Sequence, residues 1–286
     1  MNIYFQVMNP ASTILGLWNW YSPMWLVAAA AIGLYLWSHK GQLSARSGFF
    51  AAAVALFLIA TVSPLNRLAH GYLFSAHMVH HLLLLLIVPG LTLLSLSSEV
   101  VENVLKRKSL SVLSAVFGYP LVAWAMGTGA MWLWHVPTFC VASQSIPSVG
   151  TFQTASLLAM GAAFWWPVAA PSAYRRIGTL QGVGYLFTGC LACTALGIYL
   201  TFSPVNVCPS FLTATDPLGI TPYLRNNLGL TPANDQQIGG LLMWVPACLI
   251  YLTGIFSLLV RWLGRPQTDI PAGLTPVRTY RLAGKK

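Results

Sequence analysis

The chain has 286 residues, of which 56% are hydrophobic and only 7% charged, against about 25% charged in an ordinary globular protein. A mean hydropathy of +0.68 excludes a water-soluble domain. The net charge of +10 comes without a basic run interleaved with aromatics, so it points to cytoplasmic loops of a membrane protein and to no nucleic acid. The expected class is an all-α integral membrane protein.

Met1 to Leu17 carries no Lys or Arg and so lacks the basic start of a cleavable signal, which predicts a retained first helix. A helix needs about 20 apolar residues to cross a roughly 30 Å hydrocarbon core. Seven stretches qualify: Trp20–Trp37, Gly48–Val62, Tyr72–Leu96, Ser111–Trp134, Thr151–Ala170, Leu180–Phe202 and Ile238–Val260. Pro89, Pro120, Pro167 and Pro246 fall inside them and predict kinks. Gly127, Gly129, Gly182, Gly184 and Gly189 would let helices approach closely.

Basic residues orient the bundle. With the amino terminus outside, only Arg67 and Arg225 of the 15 Lys and Arg fall in outer segments; the others, six of them after Val260, fall inside. The reading is therefore a seven-transmembrane helix bundle over residues 1–263, amino terminus outside and carboxyl terminus cytoplasmic. An external loop spans 203–237, and a basic cytoplasmic tail spans 264–286. The loop has five prolines and no obvious regular element, and a connection of that length suggests a cap or docking surface. The tail reads as a topology determinant near anionic lipid.

On that map the histidines converge. His77, His80 and His81 lie in the outer half of the third stretch, with His77 roughly 8 Å below its start at about 1.5 Å per residue. His77 and His81 share a helix face, and His80 stands beside them. His70 precedes them in the same outer segment, and His135 ends the fourth stretch on the same side. The sixth histidine, His39, stays inside. Buried ionisable groups in a membrane mark a site. Met78, near His81, and Met131, one turn before His135, add soft donors, and a His/Met donor set favours Cu(I).

The five cysteines show no disulfide framework readable from spacing; Cys208 in the external loop could be a ligand or be oxidised, and Cys190-Leu-Ala-Cys193 reads as buried packing. No HExxH, GxSxG or phosphate loop occurs, so an enzyme is not expected. The five acids (Glu99, Glu102, Asp216, Asp235, Asp269) all lie outside the apolar cores, which argues against an ion-coupled carrier.

Ser63-Pro64, Phe74-Ser-Ala-His-Met-Val-His-His81, Trp134-His135-Val-Pro137, Phe164-Trp-Trp-Pro167 and Asp235-Gln-Gln-Ile-Gly-Gly-Leu-Leu-Met-Trp244 together resemble the CtaG-like family of cytochrome c oxidase assembly factors, over roughly residues 20 to 262. The resemblance implies a multi-pass protein of the bacterial cytoplasmic (inner) membrane that serves the respiratory chain as an assembly chaperone. It also implies copper handling at the outer face, with His77, His81, His135 and Asp235 at matching positions. Candidate metal residues are then His77, His81, His135, His80, Asp235 and Met78, with His80 and Asp235 as supporting groups. Partners would be haem-copper oxidase subunits, periplasmic copper carriers and membrane lipid. One departure stands out. Where the family commonly shows Glu-His at the start of the fifth span, this chain has Gln153-Thr154, so a contribution from that helix is expected to be missing. Two alternatives are a haem-binding electron-transfer protein and a structural oxidase-associated subunit without metal.

Overall fold

The computed structural model describes residues 17–264 apart from 43, 172–175, 214, 215 and 218, together with all but the side chains of 108–111 and 113. The expected basic tail lies outside the described residues. Every regular element among them is helical. They are α1 (Met24–Ser38), α2 (Ala45–Val62), α3 (Pro64–Ala69), α4 (Phe74–Leu82), a π-helical turn (Leu83–Ile87), α5 (Val88–Ser95), α6 (Ser98–Leu105) and α7 (Lys108–Gly118). There follow α8 (Pro120–Trp134), α9 (Pro137–Ser145), α10 (Pro147–Ala169), α11 (Thr179–Phe202), α12 (Ser210–Thr213), a second π turn (Tyr223–Asn227) and α13 (Pro232–Leu263).

Each apolar stretch becomes helix, but four helical rods are long and apolar enough to cross a membrane: Ala45–Val62, Phe74–Ser95, Thr179–Phe202 and Pro232–Leu263. The others differ for local reasons. α1 is apolar but only 15 residues long. The fourth stretch is broken, not kinked, at Pro120. Tyr119 adopts an extended backbone, as a residue before proline prefers, and Pro120 starts a new helix where its missing N–H costs nothing. α10 has 23 residues, diluted by Ser148, Thr151, Gln153, Thr154 and Ser156.

The π turn has a proline cause as well. Pro89 has no N–H for the Leu85 carbonyl, and Val88 N–H reaches back five residues to Leu83. The Leu86 carbonyl instead accepts from Trp165 Nε1 on α10, at 2.9 Å. The turn starts two residues after His81 and resets the register of everything after it on this rod.

Glycines set the closest approaches. A Cβ on Gly161 would overlap the Leu85 carbonyl oxygen and lie 2.8 Å from Pro89 Cγ. Gly197 of α11 and Gly240 of α13 face each other backbone to backbone, with Gly240 against Thr201. Of the glycines expected at interfaces, Gly127 packs on Phe164, Gly182 on Leu258 and Gly189 on Phe164, whereas Gly129 and Gly184 meet open space. Gly161→Ala is expected to destabilise the bundle by about 3 kcal/mol, because backbone cannot rotate away as a side chain can. A thermal unfolding curve in detergent checks this.

Candidate metal site

The site begins with how α4 is held. Its first turn has unpaired N–H groups, and the carboxylate that satisfies them comes from the far end of the chain. Asp235, in the first turn of α13, accepts from Phe74 N at 2.8 Å, Ser75 N at 3.1 Å and Ser75 Oγ at 2.5 Å. Arg225 Nη1 stands 3.9 Å from the same carboxylate, and this guanidinium also donates to the carbonyls of Leu230 and Tyr72. Asp235 is 1% exposed. Its oxygens are thus engaged by the histidine helix, fixing its depth and rotation, and it acts on the cluster as a supporting group. Sequence placed Asp235 in a loop ahead of the last helix. In fact α13 starts at Pro232, with Thr231 capping Asn234 N–H.

On α4 the three imidazoles are fully buried, and their ligand nitrogens lie within 4.8 Å of one another. The rings of His77 and His81 are 4.2 Å apart, and His80 is 6.2 and 6.1 Å from them. Five of their six nitrogens, all but His77 Nδ1, have no hydrogen-bond partner. Buried polar atoms without partners are rare, and each costs about 1–3 kcal/mol. One lone pair per neutral imidazole offered to a cation would offset that cost.

His135 follows the last residue of α8, and its ring meets His81 edge-on at 5.1 Å. Its Nδ1–H donates to the Met131 carbonyl at 2.5 Å, which leaves a lone pair on Nε2. That lone pair faces the thioether of Met78, with Nε2 and Sδ 3.1 Å apart. Two electron-pair donors with no proton between them are a poor contact on their own. With a soft cation between them they become two ligands. His81 thus stands between His77 and His135, Met78 faces His135, and His80, whose ligand nitrogen is grouped with those of His77 and His81, also lies 4.9 Å ring to ring from His70.

His70 forms part of the wall of an open polar cleft of about 490 Å³, together with Asn66, Arg67, Gln144 and Phe211. Its Nδ1–H donates to the Asn66 carbonyl at 3.0 Å. Burial holds its imidazole below the usual histidine range, partly opposed by that carbonyl. Gln144 and Phe211 close the cleft floor over His77, at 3.2 Å (Gln144 Nε2 to His77 Nδ1) and 5.7 Å between rings. A disulfide between Cys140 and Cys208, with Cα atoms 5.8 Å apart, ties α9 to the segment 203–237 within a turn of both. Gln236 adds a staple, accepting from Val207 N and donating to the Leu200, Ser203 and Val205 carbonyls.

Sequence reasoning missed the Cys140–Cys208 pairing, Gln144 and Gln153. The disulfide was legible in principle, because Cys140 and Cys208 alone fall between apolar stretches, Cys190, Cys193 and Cys248 lying within them. Gln144 carried no signal beyond its place nine residues after His135. Gln153, counted as a lost position, is fully buried with both amide atoms unpartnered. It precedes Gly161 by eight residues, as His77 precedes Leu85. Because α10 runs parallel to α4 and α5 in contact at Gly161 and Leu85, Gln153 lies at the depth of His77. The fifth stretch therefore still brings a polar group to the level of the site. Thr154 spends its hydroxyl on the Gly150 carbonyl.

Residues 28–265 match the family described as cytochrome c oxidase caa3 assembly factor, and the chain belongs to that family. No curated protein and no solved structure matches the chain.

Proposed function

For a caa3 oxidase assembly factor built this way, we propose that the assembly task is copper handling: one Cu(I) ion held by His77, His81, His135 and the Met78 thioether and passed on to the oxidase. The observation that carries it is the set of buried imidazole nitrogens without partners, beside a His135 lone pair aimed at Met78 sulfur. His80 and His70 form the route between the polar cleft and the buried site. Gln144 and Asp235 position the ligand helix. In this reading the bundle crosses the bacterial inner membrane seven times, α7 and α8 together making one crossing, with the amino terminus and the histidines on the periplasmic side. The protein acts as a chaperone and not as an enzyme; its donors are periplasmic copper carriers and its acceptor an oxidase subunit.

A haem alternative gets no support from the geometry, since the His81 and His135 rings touch edge to face and leave no slot for a macrocycle. Anaerobic titration of the detergent-solubilised protein with Cu(I) tests the proposal. About one tightly held ion per chain is expected, with nitrogen and sulfur neighbours by X-ray absorption. A wild type that retains no copper, while still co-purifying with oxidase subunits, would replace it with a purely structural role.

A further inference from the structure

At the end of the bundle away from the histidines, a second cleft of about 680 Å³ opens between α2, α5, α10 and α13. Its walls are hydrocarbon, from Ile87, Leu91, Leu94, Val168, Ile250 and Leu258 among others. The polar groups along it are already spent. Thr253 Oγ1 donates to the Leu249 carbonyl at 2.8 Å, Ser257 Oγ to the Thr253 carbonyl at 2.8 Å, and Trp165 Nε1 to the Leu86 carbonyl. The cleft body therefore offers nothing to water or to a polar solute.

The mouth is the opposite. Arg46, Arg176 and Arg261 line it, brought together from α2, the segment after α10 and the last turn of α13. Arg46 donates once, to the Leu96 carbonyl at 3.1 Å, and Arg176 donates to the Ala170 and Pro171 carbonyls. Among the described residues no carboxylate pairs with any of the three. Burial, and then the neighbouring charges of Arg261 and Arg46, hold the Arg176 guanidinium below its ordinary value. Three like charges around one opening repel each other unless an anion joins them.

We propose that this cleft is a binding site for one anionic diacyl phospholipid, its chains along the apolar walls and its phosphate on Arg46, Arg176 and Arg261. Both halves of the ligand are needed to explain the site. A free phosphate would use the arginines and leave the walls unfilled; a zwitterionic lipid would bring a compensating cation to a mouth that already has three. Basic pockets between membrane helices recognise anionic headgroups in this way. The site is independent of the copper reading, and it ties α2 to α13 at the inner end as Asp235 ties α4 to α13 at the outer.

The test uses the full chain purified in mild detergent, native mass spectrometry for bound lipid, and thermal unfolding after adding phosphatidylglycerol, phosphatidylcholine or inorganic phosphate. The wild type is expected to keep about one anionic phospholipid per chain through a delipidating wash and to be stabilised by phosphatidylglycerol alone. Changing all three arginines to Gln should weaken phosphatidylglycerol binding by about 100-fold. Arg176→Gln alone should weaken it in the same direction if the triple variant does not fold. Leu94→Trp, which narrows the cleft and keeps every charge, should lower retention too. Equal stabilisation by phosphatidylcholine or by phosphate overturns the proposal. So does equal loss in a control with Lys40, Lys106 and Arg107 changed to Gln, or full retention in Leu94→Trp, since either would reduce the effect to general surface charge.

Discussion

Replacing His81 by Leu is expected to abolish tight Cu(I) binding while leaving the copper-free protein at least as stable as the wild type. His81 touches both His77 and His135, so its ring bridges the two halves of the donor set. Loss of a partner that merely orients a ligand costs about 10–100-fold in metal affinity, and loss of a bridging ligand should exceed about 100-fold. Stability should respond in the opposite way. Both His81 nitrogens are buried without partners, so the native fold bears about 1–3 kcal/mol for keeping them there. Leucine of similar volume removes that cost without leaving a void. Competition against a Cu(I) chelator, with thermal unfolding of the apo forms, reads both quantities. If His81→Leu unfolds the apo protein by about 3 kcal/mol and leaves copper affinity alone, the imidazole is core packing and the copper reading fails.

How much was visible beforehand follows from what kind of interaction holds each part. Helix positions depend on local apolar runs, so each of the seven stretches did become helix. The convergence of His77, His81 and His135 came from spacing and the sidedness of the loops, and the structure does bring these rings together. The misses are long-range or stereochemical. Pro120, Pro167 and Pro246 look alike in the sequence, yet Pro120 starts a new helix after an extended Tyr119 while Pro167 and Pro246 stay inside theirs. At Pro89 the outcome was a π turn, with Val88 N–H reaching back to Leu83 and Trp165, far along the chain, donating to the Leu86 carbonyl. Gln153 looked like a deletion of function because a family pattern was compared letter by letter, yet its buried amide still sits at the level of the site. The capping role of Asp235 spans 161 residues, beyond the reach of any periodicity.

That cap is where the largest loss of stability is expected. Asp235→Ala removes the acceptor for two backbone N–H groups and the Ser75 hydroxyl, all buried, and leaves Arg225 without its carboxylate. Breaking a buried charged network from one side costs about 3–5 kcal/mol, most of it from the donors left behind. Asp235→Asn should recover little, because its amide NH2 would point at N–H groups that also donate. Asp235→Glu should recover more, since it keeps the charge and both oxygens at the expense of one methylene beside Phe74 and Gly239. Copper affinity should fall in step with stability across the three variants, because the carboxylate acts on the histidines through the placement of α4. Unfolding curves beside Cu(I) competition separate this from direct ligation. An Asn variant as stable as wild type but unable to hold copper would make Asp235 a ligand and would release the start of α4 from the control assigned to it.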